Sequence, residues 1–390
     1  MGRLRYLTAG ESHGPALVAI LEGLPAGLPV SSTEIENELS RRRHGYGRGP
    51  RMNVERDELQ ILSGVRAGIT LGSPVAVAIR NSEWAKWAHV MPAEGEAGGR
   101  SLTRPRPGHA DLPGMLKYDF EDARNVLERA SARETAARVA IATLSKTLLH
   151  QAGMAVISHV VRIGAVAVPE DAAVPTADDG DAIDASPVRC FDAGASQAMV
   201  TEIDSAAAEG DSLGGVVEVM AFGLPPGLGS HVHWDRKLDG LLAGALMAVP
   251  AIKGVELGDG FASAARRGSV AHDEIEPDLA RATLRAGGTE GGMSIGGTLR
   301  IRAAMKPLAT LKKRLRTVDL ATGDPAEAFQ ERTDVCAVPA AAVVCEAVVA
   351  LVLADALMDT FGGDTVADMK ASLERYSERV SRRGAGGAHE

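Results

Sequence analysis

Aromatic residues are scarce: Phe, Trp and Tyr make up 3% of 390 residues. That scarcity disfavours the stacked aromatic platforms on which single-stranded nucleic acid lies. Cysteine is rarer still. Cys190, Cys336 and Cys345 are too few and too scattered for a disulfide framework or a thiolate zinc site, which fits a reducing cytosol. Positive charge does not dominate, since 42 Lys+Arg against 51 Asp+Glu leave a formal charge of −9. Broad attraction to nucleic acid or an anionic membrane is therefore not expected. No Walker motif and no G-x-G-x-x-G occur, so nucleotide-triphosphate chemistry has no support. The start, MGRLRYLTAGESHG, lacks the apolar run of a signal peptide. Residues 337–358 are strongly apolar, but Glu346 and Asp355 interrupt them. They fall short of the roughly 20 apolar residues of a membrane span and read as a buried helix with Pro339 in its first turn.

Glycine, by contrast, is abundant at 44 residues, and 45% of the chain is hydrophobic, which allows a sizeable core. Ser31 and Glu34 form a capping box that opens a helix through Ile35 and Leu39, closed near Gly45. Ser131 and Glu134 form another, followed by Ala137, Ile141, Leu144 and Leu148 at helical spacing and ended by Gly153. Strands are expected at 17–22, 60–63, 75–80, 156–161, 216–221 and 298–303. Mixed helices and strands between Gly/Pro turns indicate a layered α+β protein. The acidic stretch 169–187 reads as a surface loop and the chain after Tyr376 as a flexible tail. Residues 10–28 and 210–228 form a weak internal repeat, identical at eight of nineteen positions. His13 becomes Leu213, so chemistry at this turn belongs to the first copy.

Three basic islands carry the chemistry. The run 41–51, RRRHGYGRGPR, holds five arginines and no acid. The others are Thr103–His109, with Arg104 and Arg106, and the pair Arg129 and Arg133 around Ser131. Arginine forks grip carboxylates and phosphates bidentately, and glycines let backbone approach a ligand. Any one such run is equally a solvated surface. Three of them against a negative total point to a focused pocket for a small polyanion. Ser131, at an expected helix start, is either a plain N-cap or an anion site. His13 and His109 lie in glycine turns beside positive charge, where an imidazole is either structural or suited to proton transfer. The pair His231 and His233 lacks the further ligands a zinc site needs, so no metal is expected.

In order along the chain, GESHG (10–14), RRRHGYGRG (41–49), RPGHAD (106–111), LERASARETAARVA (127–140), IKGVELGDGF (252–261), AGGTEGGMS (286–294), RAAMKP (302–307) and ERTDVCAVPA (331–340) closely resemble the chorismate synthase family. AHDE (271–274) belongs to the same set. The resemblance implies a single domain over 1–375 with a β-α-β sandwich, a homotetramer, a cytoplasmic location, and a tail at 376–390. It implies 1,4-anti elimination of phosphate from 5-enolpyruvylshikimate 3-phosphate to give chorismate, the last common step of the shikimate pathway. Reduced FMN is required without net redox change. His13 would protonate the leaving phosphate, His109 would act at the reduced flavin, and Asp334 would assist deprotonation there. Arg42, Arg48, Arg51, Arg133 and Arg332 would hold the phosphate and carboxylates. Arg129, Ala130, Ser131, Pro250, Ala251, Gly291, Lys306, Pro307, Leu308, Ala309, Thr310 and Arg332 match FMN-contacting positions.

Some relatives also reduce flavin with NADPH, and Arg42 and Arg48 match NADP-contacting positions. Without a dinucleotide fingerprint here, an external flavin reductase is the expected source of reduced FMN. Pro250, Ala309, Ile295 and Thr333 depart from the family's usual residues; these changes would tune flavin affinity without removing a catalytic group.

Overall fold

Alternating burial builds the first sheet. The computed structural model describes residues 3–49, 58–329 and 334–384. Strands β1 (Arg5–Ala9), β2 (Ala16–Glu22), β3 (Glu58–Ser63) and β4 (Val75–Arg80) pair antiparallel in the order β1-β2-β4-β3. Leu17, Ala19 and Leu21 of β2 and Val75, Val77 and Ile79 of β4 are buried at every second position. That period of two gives one face of the sheet to the core. The second sheet comprises β5 (Ala155–Ile163), β6 (Val166–Ala167), β7 (Gly215–Phe222), β8 (Ile252–Leu257) and β9 (Leu299–Met305). It is antiparallel with order β8-β9-β7-β5-β6.

Helices connect the sheets. They include α1 (Ser32–Arg43), α2 (Asp111–Tyr118), α3 (Arg124–Ala130), α4 (Thr135–Gln151), α5 (Ala193–Glu209), α6 (Leu238–Met247), α7 (Val338–Phe361) and α8 (Val366–Gly384). Helix α4 lies against β2 and β4 and packs on α7, which in turn lies against β5 and β7. Side chains from both sheets and both helices form one continuous core. The protein is thus α+β.

The Ser31 cap forms as expected, its hydroxyl accepting from the Glu34 amide at 3.3 Å. At the second expected cap, Ser131 accepts from the Arg133 amide at 3.3 Å and opens a single 3-10 turn before α4 begins. Contrary to the sequence reading that this stretch falls short of a membrane span, helix α7 at 24 residues has the length and apolarity of one, yet it is buried almost throughout, as a buried helix should be. It is the central core helix.

Two sequence expectations need correcting. The stretch 169–187 contains a short helix, Gly180–Ala185, because Ile183 buries against Ile157 and Met220. Residues 376–384 are not a frayed tail but the second half of α8. Val366, Met369, Leu373 and Tyr376 recur at helical spacing and pack on the core. The Tyr376 hydroxyl donates to the Pro226 carbonyl at 2.7 Å, and its ring meets Phe361 edge-on at 5.3 Å.

Candidate active site

Separated stretches of chain converge on a cavity of about 510 Å³. The β1–β2 turn brings Ser12 and His13. The end of α1 and the segment after it bring Arg42, Arg48 and Gly49. The segment before α2 brings Arg106, Gly108 and His109, and the approach to α4 brings Ala130, Ser131 and Arg133. The segments after α6 and β9 add Pro250, Ala251 and Lys306 through Thr310. The apolar wall includes Leu127, Val249, Met305 and Leu308. Ala337, Ala340, Ala341 and Val344 place the first turns of α7 on the same cavity, so the positive end of that helix dipole adds to the cationic lining.

Each polar group is held by specific partners. His13 stacks on Trp87 with ring centroids 3.9 Å apart. Its Nδ1 meets both oxygens of the buried Glu128 carboxylate at 3.0 Å, and its backbone N–H donates to the same group at 2.8 Å. Burial penalises the charged form of Glu128. The bonds from His13 and the Arg124 charge outweigh that penalty and hold the carboxyl below its ordinary range. His109 makes a short Nδ1 contact to Asp111, a fully buried carboxylate that Arg106 also grips through Nε at 2.8 Å. Here too burial opposes the charge, and the His109 and Arg106 bonds keep Asp111 far below the usual carboxylate range.

Arg42 is fixed by Thr135 Oγ1 and the Ala132 carbonyl, both at 2.9 Å. Asp334 accepts from the Gly49 amide at 2.6 Å and pairs with Arg48 at 3.2 Å. Arg106 reaches Thr310 Oγ1 at 3.1 Å, and Lys306 donates to the Gly108 carbonyl. Ser131 donates to the Ser12 hydroxyl at 3.3 Å, joining two motifs 119 residues apart.

Most of the candidate site residues therefore line one cavity, although Arg41, Arg43 and Arg104 of the basic islands do not. Two candidate site residues lie elsewhere. Arg129 turns away to donate to Thr8 and Gly10, so it braces the β1–β2 turn. Gly291 sits in the tip of a hairpin between Glu290 and Met293, outside the cavity lining. Arg51 and Arg332 lie outside the described residues. Glu128 and Asp111 were not assigned roles from sequence. Asp111 had a visible signal, a carboxylate two positions after His109. Glu128 had none, because 115 residues separate it from His13.

The chorismate synthase family model matches residues 4–358. The chain is similar to the chorismate synthase of Thermobifida fusca (strain YX), 61% identical over 97% of this chain and 99% of that one. It is also similar to that of Beutenbergia cavernae, 60% identical over 97% and 98% of the two chains. A solved structure described as the crystal structure of chorismate synthase matches with a TM-score of 0.78 and 41% identity, covering 97% of this chain and 98% of that one. These likenesses place the chain among the carbon–oxygen lyases that act on phosphates. It belongs to the chorismate synthase family.

Proposed function

We propose that this cavity converts 5-enolpyruvylshikimate 3-phosphate to chorismate by 1,4-anti elimination of phosphate, in the presence of reduced FMN and without net redox change. The observation that carries the reading is the meeting of His13, His109 and the arginine islands in one cavity. A substrate with a phosphate and two carboxylates needs several cations held in fixed geometry. Arg42, Arg48 and Arg133 offer them, with Arg51 and Arg332 joining by family resemblance.

The lining also suits a flavin nucleotide. An apolar wall from Leu127, Val249 and Leu308 can take a flat ring system, while Ser131 and Lys306 can meet an anionic tail. We assign Ala130, Ser131, Pro250, Ala251 and Lys306 to Thr310 to that role. Arg129 and Gly291 remain in it by resemblance alone, Arg129 through the turn it braces. Reduced FMN, when bound, supplies the electron density that a simple base cannot, since the departing hydrogen is weakly acidic.

The protein's own groups do the rest. The arginines orient the substrate and offset the charge on the departing phosphate. His13 delivers a proton to that phosphate. His109, anchored by Asp111, holds a proton on the flavin side, and Asp334 takes part in proton removal there. Flavin reduction is assigned to a separate reductase. The fold is read as a β-α-β sandwich assembled as a cytoplasmic homotetramer. In support of its internal repeat, Gly10, Gly23 and Gly27 have positive φ, as do Gly210, Gly223 and Gly227. Strands β2 and β7 also end together at the 200-residue offset.

His13→Ala and His109→Ala test the assignment. Each is expected to fold and to lose about 10²–10⁴-fold in turnover, the usual contribution of general acid–base groups. Near wild-type turnover in either variant removes that residue from the mechanism.

A further inference from the structure

We propose that Glu128 is the positioning residue for His13, fixing its ring and selecting its Nδ1–H tautomer. This rests on the reading of His13 as the proton donor. The geometry is closed on every side. Both Glu128 oxygens stand 3.0 Å from His13 Nδ1, and the His13 backbone N–H donates to Oε2 at 2.8 Å. Arg124, one helical turn before Glu128 on α3, donates to Oε1 at 3.2 Å. The same guanidinium lies over the Trp87 ring at 5.3 Å from its centre, and Trp87 stacks on the imidazole. Four side chains thus form a closed ring of contacts that orients the carboxylate and the imidazole.

A carboxylate accepts but cannot donate, so a neutral His13 must carry its proton on Nδ1. Proton exchange with the cavity then falls to Nε2. Arg42, Arg48, Arg106, Arg133 and Lys306 line the same cavity. Among acids, Asp334 is committed to Arg48 and the Gly49 amide. Glu11 of the same turn is exposed, and Lys86 beside Trp87 pairs with Glu83. Glu128, buried and in direct contact, is the carboxylate that holds the His13 ring.

The test has two parts. In ¹⁵N-histidine-labelled wild-type protein, with the His13 resonance assigned by its loss in His13→Ala, the neutral ring is expected as the Nδ1–H tautomer. Glu128→Gln keeps the shape and removes the charge. Its kcat is expected to fall within the about 10²–10⁴-fold that general acid–base catalysis contributes, with KM little changed. Glu128→Asp is expected to restore part of kcat. An Nε2–H tautomer, or unchanged turnover in Glu128→Gln, overturns the proposal. If Glu128→Gln does not fold, the wild-type spectrum and Glu128→Asp still decide. Should His13→Ala keep full turnover, His13 is not the acid; the tautomer would then report on the pairing alone.

Discussion

Arg41 and Arg42 are neighbours in sequence with opposite fates. Arg42 reaches the cavity, whereas Arg41 turns into the core and meets Glu346 at 2.8 Å. Lys146 and Ser158 donate to the same carboxylate, each at 2.7 Å. Burial disfavours a charged Glu346, and the Arg41 and Lys146 charges overcome it, keeping the carboxyl well below its usual range. Glu346→Ala is expected to destabilise the fold by about 1–3 kcal/mol in urea titrations, because it removes the buried acceptor shared by Arg41, Lys146 and Ser158 while Glu38 still pairs with both cations. A cost below about 1 kcal/mol would contradict this.

Glu218 behaves similarly on the second sheet. Burial would raise its pKa, but the His159 bond and the Arg300 and Arg302 charges lower it to about 2. A lowered folded-state value stabilises the protein above the ordinary value of 4.5, and that stability is lost as pH falls towards about 2. The stability difference between wild type and Glu218→Gln should be flat above about pH 5 and shrink below it. A difference that does not vary with pH would rule the linkage out. Neither role is legible in sequence, since no spacing rule links Arg41 to a glutamate 305 residues away.

At the scale of elements, legibility followed periodicity. β2, β4, β5, β7, β9, α1, α4 and α7 all announce themselves by alternation, caps or a long apolar run. β1 does not, because as an edge strand it is largely exposed and shows no inward face. β8 is a second edge strand interrupted by Gly254, with the same consequence.

Turns were legible as glycine clusters, but their rigidity was not. Gly10 has φ +103°, and a Cβ there would fall 2.3 Å from the Ala16 carbonyl oxygen. Gly10→Ala is expected to cost more than the about 1–2 kcal/mol of a left-handed residue and to lower turnover by displacing His13. Gly210, its repeat counterpart, caps α5 with φ +72° and meets nothing closer than 3.3 Å, at Lys312. Gly210→Ala should be the milder change in thermal melts and leave turnover nearly intact. Equal losses in both would contradict the asymmetry between the two copies.

For the whole molecule, the site was legible as a set of motifs and not as a place. Local sequence gave basic islands and glycine-flanked histidines. Their convergence depends on two sheets and the α4–α7 pair bringing residues 13, 42, 109, 133 and 306 to one cavity, which no local pattern encodes. Resemblance to a family supplied the roles. Of the carboxylates beneath the histidines, Asp111 lies two positions from His109, whereas Glu128 required the folded chain, because 115 residues separate it from His13.

The most direct measurement is an anaerobic assay of purified protein with chemically reduced FMN and 5-enolpyruvylshikimate 3-phosphate, following chorismate absorbance and phosphate release together. Equimolar appearance of both is expected, abolished when the flavin is left oxidised. Phosphate release without chorismate, or chorismate formed at an undiminished rate without reduced flavin, would contradict the assigned chemistry.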